Sequence, residues 1–247
     1  MSERQIIVLE TANELFVRAA EEIAHIAGEA ICMHGEFTLC LTGGTTPANT
    51  YELLASRFQL SIDWKEVQFY WGDERCVPPD DPASNYGMAD RTMLSKLNLK
   101  PAQIHRIRGE DKPEEGARKY EEELRKNFKL QPGQFPRFDL MLLGLGDNCH
   151  ILSLFPRIPA IHEQHRIAVP VEVEDKHRRR VTLTAPVANR SARVMFIVSG
   201  ANKAAAVKRV IEGEDNPDDV PAHLIAPEDG IVMWLLDQPA ASQLSRR

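Results

Sequence analysis

The sequence has 247 residues, 43% of them hydrophobic and 27% charged, with a formal net charge of -6. That length holds one large α/β domain or two small ones, the composition is not that of a disordered chain, and the acidic balance argues against a general nucleic-acid binder. No apolar run approaches the ~20 residues that span a bilayer, and the start Met1-Ser-Glu-Arg-Gln-Ile-Ile lacks the charged opening and apolar stretch of a signal peptide.

The four cysteines, Cys32, Cys40, Cys76 and Cys149, form no CxxC pair. They fit reduced thiols in a cytoplasmic protein. HExxH and zinc-finger spacings are absent, so no metal site is expected.

Taken in order, residues 5–9 read as a first strand. Thr11-Ala-Asn-Glu14 reads as a capping box, in which the Thr and the Glu each satisfy an orphan backbone N–H. Phe16, Ala19, Ala20, Ile23 and Ala27 follow at helical spacing. A strand is expected over 37–41, a helix over 47–57 and a third strand over 67–71. A loop rich in Pro, Asp and Ser leads to a helix from about Asn85, and 113–128 is a charged surface-type helix. Strands are expected over 138–143, 181–184, 194–198 and 231–236, with a helix over 202–211 and a frayed tail Gln243-Leu-Ser-Arg-Arg247. Short apolar runs alternating with helical patterns imply βαβ units, hence a mainly parallel sheet flanked by helices, and residues 1–247 are read as a single α/β domain.

Ligands of such sheets bind beyond the carboxyl ends of the strands, and four of those positions carry chemically useful residues. In Leu41-Thr-Gly-Gly-Thr-Thr-Pro47, Gly43 and Gly44 let the backbone turn tightly and approach a ligand, while Thr46 is placed to cap the helix and Pro47 to fill its first turn. The free N–H groups of a helix start suit a phosphate. Trp71-Gly-Asp-Glu-Arg75 ends an apolar strand in three charges, where Arg75 can grip an oxyanion and a carboxylate can orient it. In Leu143-Gly-Leu-Gly-Asp-Asn-Cys-His150, His150 is a candidate general base, and its neighbour Cys149 is read as pointing elsewhere. In Val198-Ser-Gly-Ala-Asn-Lys203 a cation opposes the helix dipole, which makes sense beside a phosphate. Arg180 stands at the entrance of the strand over 181–184, and the basic run Lys176–Arg180 is otherwise a solvated face.

Together these segments resemble the 6-phosphogluconolactonase family. The resemblance rests on Leu41-Thr-Gly-Gly-Thr-Thr-Pro47, Gly72-Asp-Glu-Arg75 with Val77-Pro78 and Ser84-Asn85, Ser153-Leu-Phe-Pro156 after His150, Arg180-Val-Thr-Leu-Thr184 and Gly200-Ala-Asn-Lys203. Pro221-Ala222 and Trp234-Leu-Leu-Asp237 also fit. It implies a Rossmann-like fold shared with sugar-phosphate isomerases and deaminases, and hydrolysis of 6-phosphogluconolactone in the pentose phosphate pathway without metal or organic cofactor. By the same resemblance the catalytic His is His150, the charged-turn Arg is Arg75, and phosphate falls to Gly43, Gly44, Thr45, Arg180 and Lys203, with Thr46 in the same turn. Asp73 is expected to orient Arg75 or a substrate hydroxyl.

The chain departs from the family pattern around the base. Asn148, Cys149 and Ile151 stand where Asp, Gly and Thr are usual. Asn148 accepts a hydrogen bond but cannot stabilise an imidazolium as an anion would; Asp147, one position upstream, is the candidate substitute. Two other readings remain open: an amino-sugar phosphate deaminase or isomerase, which would carry Tyr where Arg75 stands, and a sugar-phosphate-binding protein with impaired catalysis.

Overall fold

The computed structural model describes residues 3–245. Met1, Ser2, Arg246 and Arg247, which belong to the two ends read above, lie outside the described residues.

The longest apolar runs become the central strands. β1 (Glu3–Leu9) is followed by α1 (Ala12–His34) and then by β2 (Phe37–Leu41), every residue of which is buried. β6 (Leu140–Leu143) is buried throughout as well, as strands covered on both faces must be. With β3 (Val67–Trp71), β5 (Ile104–His105), β9 (Arg193–Val198) and β10 (Ile231–Asp237) they form a seven-stranded sheet in the order β1-β10-β9-β6-β2-β3-β5. All of its pairings are parallel. From β2 the chain steps outward to β3, whereas from β6 it steps the other way to β9 and β10. The strand order therefore reverses between β2 and β6, and a crevice opens beyond their carboxyl ends.

The helices begin as local chemistry dictates. Thr11 Oγ1 accepts from the Glu14 N–H at 3.2 Å, and the Glu14 carboxylate accepts from the Glu10 N–H at 3.0 Å. This is a reciprocal cap whose second bond lands one residue ahead of the cap itself. Leu15, Ala19, Ala20, Ile23, Ile26, Ala27 and Ala30 form the buried stripe of α1. α2 (Thr45–Ala55) starts ahead of the expected position. Gly44, at φ 107°, is its N-cap, so Thr46 lies inside the first turn and caps nothing. α3 (Asn85–Thr92) is capped by Ser84, whose hydroxyl accepts from the Gly87 N–H at 2.9 Å. α4 (Pro113–Asn127), α5 (Ala185–Arg190) and α6 (Ala204–Glu212), the last preceded by a 3₁₀ turn over Ala201–Lys203, complete the α-helices of the described residues. α1 packs on α2 and on β1, β2 and β10. The described end of the chain is held rather than frayed, because Ser245 donates from its backbone and hydroxyl to the two carboxylate oxygens of Glu212.

A second, antiparallel sheet was not anticipated. β4 (Asp73–Arg75) pairs with β8 (Arg179–Leu183), and β8 with β7 (Ala168–Glu172). Gly72 is the crossing point: its N–H donates to the Leu41 carbonyl at 3.0 Å and its carbonyl accepts from the Leu183 N–H at 2.8 Å. β8 also divides the basic run, since Arg178 pairs with Glu172 while the guanidinium of Arg180 turns inward to Asp175. Among the described residues no helix is long and apolar enough to cross a membrane.

Two buried tyrosines close the strands that lead to the crevice. The Tyr51 hydroxyl accepts from the Thr42 N–H and donates to the Thr42 carbonyl, at 3.0 and 2.9 Å. The Tyr120 hydroxyl, reaching in from α4, does the same for Trp71, with both bonds at 2.9 Å. Each satisfies a backbone pair that the next strand cannot reach. Tyr120→Phe leaves the Trp71 pair unsatisfied in an apolar setting and is expected to lower the unfolding free energy by about 1–3 kcal/mol, read from urea denaturation.

Candidate active site

A pocket of about 250 Å³ occupies the crevice. Its walls are Thr42, Gly43 and Gly44 after β2, Asp73 and Arg75 from β4, Gly144 to Gly146 after β6, then His150, Arg180 from β8 and Lys203 just ahead of α6. A side pocket of about 140 Å³ shares Gly43, Gly44 and Lys203 and adds Thr45 and Thr46. The structure thus gathers the residues singled out in the sequence around the two pockets, Arg180 in the main one alone, with one exception: Asn148 lies behind the imidazole, lining a different surface depression with Phe155 and Arg157.

His150 is held by three contacts. Its ring stacks on Phe155 with centroids 4.0 Å apart. Its other edge lies against Gly146, where an added Cβ would fall 2.0 Å from Nδ1, so the turn after β6 must carry a glycine there. Asn148 Oδ1 lies 3.2 Å from the His150 backbone nitrogen and 2.6 Å from Nδ1. The backbone N–H can only donate, which identifies the Asn148 atom as the amide oxygen; that oxygen then accepts from Nδ1–H. The tautomer follows: Nδ1 carries the proton and Nε2 keeps its lone pair. Burial, with the Arg180 and Lys203 cations adding to it against the opposing charges of Asp73 and Asp175, lowers the His150 pKa to about 4. The ring is therefore neutral across the physiological range.

The backbone of this turn is strained. Cys149 sits at φ 66° and Leu152 at φ 52°, conformations that favour glycine. The Cys149 thiol is buried away from the pocket, 3.8 Å from the Ala206 carbonyl, and burial raises its pKa. It is no nucleophile here. Asp147 does not replace the missing carboxylate: its side chain meets Lys203 Nζ and Asn202 Nδ2 instead of the imidazole.

The charged turn after β3 serves two directions, because successive residues of β4 point to opposite faces. Asp73 is buried beside the pocket, where Oδ2 accepts from the Ser153 hydroxyl at 2.6 Å and Oδ1 from Asn85 Nδ2 at 3.2 Å. Glu74 points the other way, to the start of α3. It accepts from the backbone N–H groups of Arg75, Asn85 and Tyr86 and from the Ser84 hydroxyl. Burial pushes its pKa up against those bonds. The expected Asp73–Arg75 orientation is not what holds Arg75: its Nη1 donates to the Ala83 carbonyl at 2.6 Å. Its buried Nε has no acceptor.

Arg180, nine-tenths or more buried, donates to the carboxylate of Asp175 and to the His177 carbonyl, and its guanidinium lies over the Phe155 ring. Desolvation lowers its pKa, and the cation of Arg75, its partner in the β4–β8 register, adds to this. Lys203 comes from a turn fixed by the buried Asp237, which accepts from the Ser199 hydroxyl and the Gly200 N–H. Helix geometry leaves the first N–H groups of α2 without intrahelical acceptors beside the side pocket. Glu74, Asn85, Ser153 and Asp237 had no individual role in the sequence reading, although each stands in one of the quoted segments.

Residues 10–234 match the sequence model of the family described as glucosamine-6-phosphate isomerases/6-phosphogluconolactonase. A 6-phosphogluconolactonase of Synechocystis sp. is 38% identical over 242 residues, which are 97% of this chain and 98% of that one. The solved structure of 6-phosphogluconolactonase from Trypanosoma cruzi is similar with a TM-score of 0.87 at 26% identity, covering 99% of this chain and 98% of the other. A monomeric glucosamine-6-phosphate deaminase of the NagB superfamily, 24% identical with a TM-score of 0.80 over 96% and 99% of the two chains, shares the fold.

The electrostatics of His150 have a direct test. Its ring resonances should titrate with a midpoint of about 4, well below the ordinary value for imidazole, in a pH series followed by NMR. Asn148→Asp places an anion on Nδ1–H and should raise that midpoint by about one unit or more. In the wild type the unfolded chain binds the proton more readily than the folded one, so this group makes stability rise with pH between the two midpoints, and its effect is complete above the unfolded one.

Proposed function

We propose the working of the site from the premise that the chain belongs to the glucosamine-6-phosphate isomerase/6-phosphogluconolactonase family. Within that family it is a carboxylic ester hydrolase that opens 6-phosphogluconolactone to 6-phosphogluconate, a reaction of the pentose phosphate pathway. The deaminase reading gives way, since the likeness to a deaminase is one of fold and Arg75 stands in the place of the deaminase tyrosine. We also place the reaction in the cytoplasm, which suits four free cysteines, and read residues 1–247 as one domain around one continuous buried apolar cluster.

The observation that carries the mechanism is the neutral imidazole of His150 on the pocket wall, its tautomer set by Asn148. His150 Nε2 takes a proton from a water as the water oxygen bonds to the lactone carbonyl carbon. The carbonyl electron pair moves to its oxygen, and the Arg75 cation on the pocket wall stabilises the oxyanion. The oxyanion collapses, the bond from the acyl carbon to the ring oxygen breaks, and the imidazolium returns the proton to that oxygen. The new carboxylic acid loses its proton to solvent. Lys203 and the Gly43–Thr46 turn hold the remote phosphate, Arg180 adds positive potential from the same pocket, and together they fix the carbonyl against the base. Asp73 receives a substrate hydroxyl on the carboxylate that Ser153 and Asn85 hold in place.

With Asn148 in place of a carboxylate, the protonated imidazole has no anion on its Nδ1 side, so each turnover passes through a less stabilised imidazolium. Hydrolysis of freshly made 6-phosphogluconolactone should exceed the spontaneous rate. His150→Ala should lower kcat by about 10²–10⁴-fold while sparing phosphate affinity, and undiminished turnover in that variant would remove His150 from the role. The wild-type kcat/KM should hold level through neutral pH and fall only as the pH approaches about 4. Asn148→Asp should raise kcat. A wild-type chain without turnover, with turnover gained by Asn148→Asp, would mark it as the impaired sugar-phosphate binder. Glucosamine 6-phosphate should release no ammonia.

A further inference from the structure

Asp147 is charged, is paired with the pocket residue Lys203, and has no part in the reaction proposed above. It sits on the turn after β6, three residues before His150, and reaches Lys203 on the turn after β9, the neighbouring strand. Lys203 Nζ and Asp147 Oδ1 are 2.5 Å apart, and the same oxygen accepts from Asn202 Nδ2 at 3.3 Å. The carboxylate is mostly in solvent, with 67% of its side-chain surface exposed, whereas the Lys203 side chain is 24% exposed and lines both the pocket and the side pocket. An ion pair this open to water contributes little to stability. It does neutralise Lys203, the one lysine on the pocket wall among the described residues.

A phosphate reaching Lys203 brings two negative charges to a cation that already carries one carboxylate. The ammonium has three donors and can hold both, yet the repulsion between the two anions subtracts from what Lys203 gives the ligand. We propose that Asp147 is a resident counter-ion that competes with the substrate's phosphate for Lys203 and so sets the affinity of the pocket for phosphorylated ligands. This rests on the phosphate-anchoring role given to Lys203 above.

The test needs no turnover. Inorganic phosphate is titrated by calorimetry into the wild type, Asp147→Asn, Lys203→Met and the double variant, with thermal unfolding confirming that each is folded; Asp147→Ser serves if Asp147→Asn is not. Asp147→Asn should bind phosphate roughly 3- to 10-fold tighter than the wild type, and the gain should vanish in the Lys203→Met background. Unchanged or weaker binding in both Asp147 variants, or a gain that persists without Lys203, overturns the counter-ion proposal. Phosphate binding that is equal with and without Lys203 overturns the anchor role on which it rests, whatever the outcome of the lactone assay. Absence of phosphate binding in all four proteins overturns both.

Discussion

Asp73 and Glu74 are adjacent, both buried, and face opposite ways, and the geometry of the pocket depends on this pair. The chain leaves the parallel sheet at Gly72, where any side chain would meet Leu152 at 2.5 Å, and joins the antiparallel sheet one residue later. The alternation of a single short strand then sends one carboxylate to the ligand and the other to the scaffold. Glu74 gathers four donors from the Arg75 amide and the Ser84–Tyr86 segment, which seats α3 and with it Asn85. Asn85 in turn packs against Gly43 on one side and holds Asp73 on the other. The turn after β2, the turn after β3 and the start of α3 are therefore tied together through Asn85 and Glu74. A buried carboxylate is tolerated there because every oxygen is answered by a donor.

The base is supported by a different kind of bond. Asn148 supplies an oxygen to Nδ1–H and fixes which nitrogen is free, the orienting half of what an aspartate does at such a position. The stabilising half falls to Asp73, the first of the charges that raise the pKa of His150, against burial and two cations that lower it. The site thus separates tautomer control from charge control, giving one to a neutral amide at short range and the other to a carboxylate across the pocket.

Much of this was legible before any coordinates. β2, β3, β6, β9 and β10 announce themselves as apolar runs because a parallel sheet hides both faces, and the crevice beyond their ends follows from the fold rule. Gly43, Gly44, Asp73, Arg75, His150, Arg180 and Lys203 were found because each follows or precedes such a run, and they do line one pocket. The second sheet was hidden for physical reasons. β4 is three charged residues, β7 contains Pro170, and neither has the apolar signature of a strand covered on both sides. Thr46 looked like a cap because Ser and Thr usually are caps, but Gly44 can take a positive φ and begins α2 earlier. Whether Asp147 reached His150 or Lys203 depends on the path of a turn strained at Cys149, and spacing carries no information about that.

The placing of β1 has a consequence for how the molecule is made. Its sheet partner is β10, and the register joins Glu3 to Ile231 and Leu9 to Asp237, the two ends of the described chain. As the polypeptide emerges from a ribosome, β1 waits through the synthesis of everything between it and β10 before its sheet hydrogen bonds can form. Contacts of such long sequence separation slow the search for the native state. Ile6, Ile7 and Val8, β-branched and adjacent, are an adhesive stretch during that delay. The charged residues that border them, Glu3, Arg4 and Glu10, are where a nascent chain would need its protection.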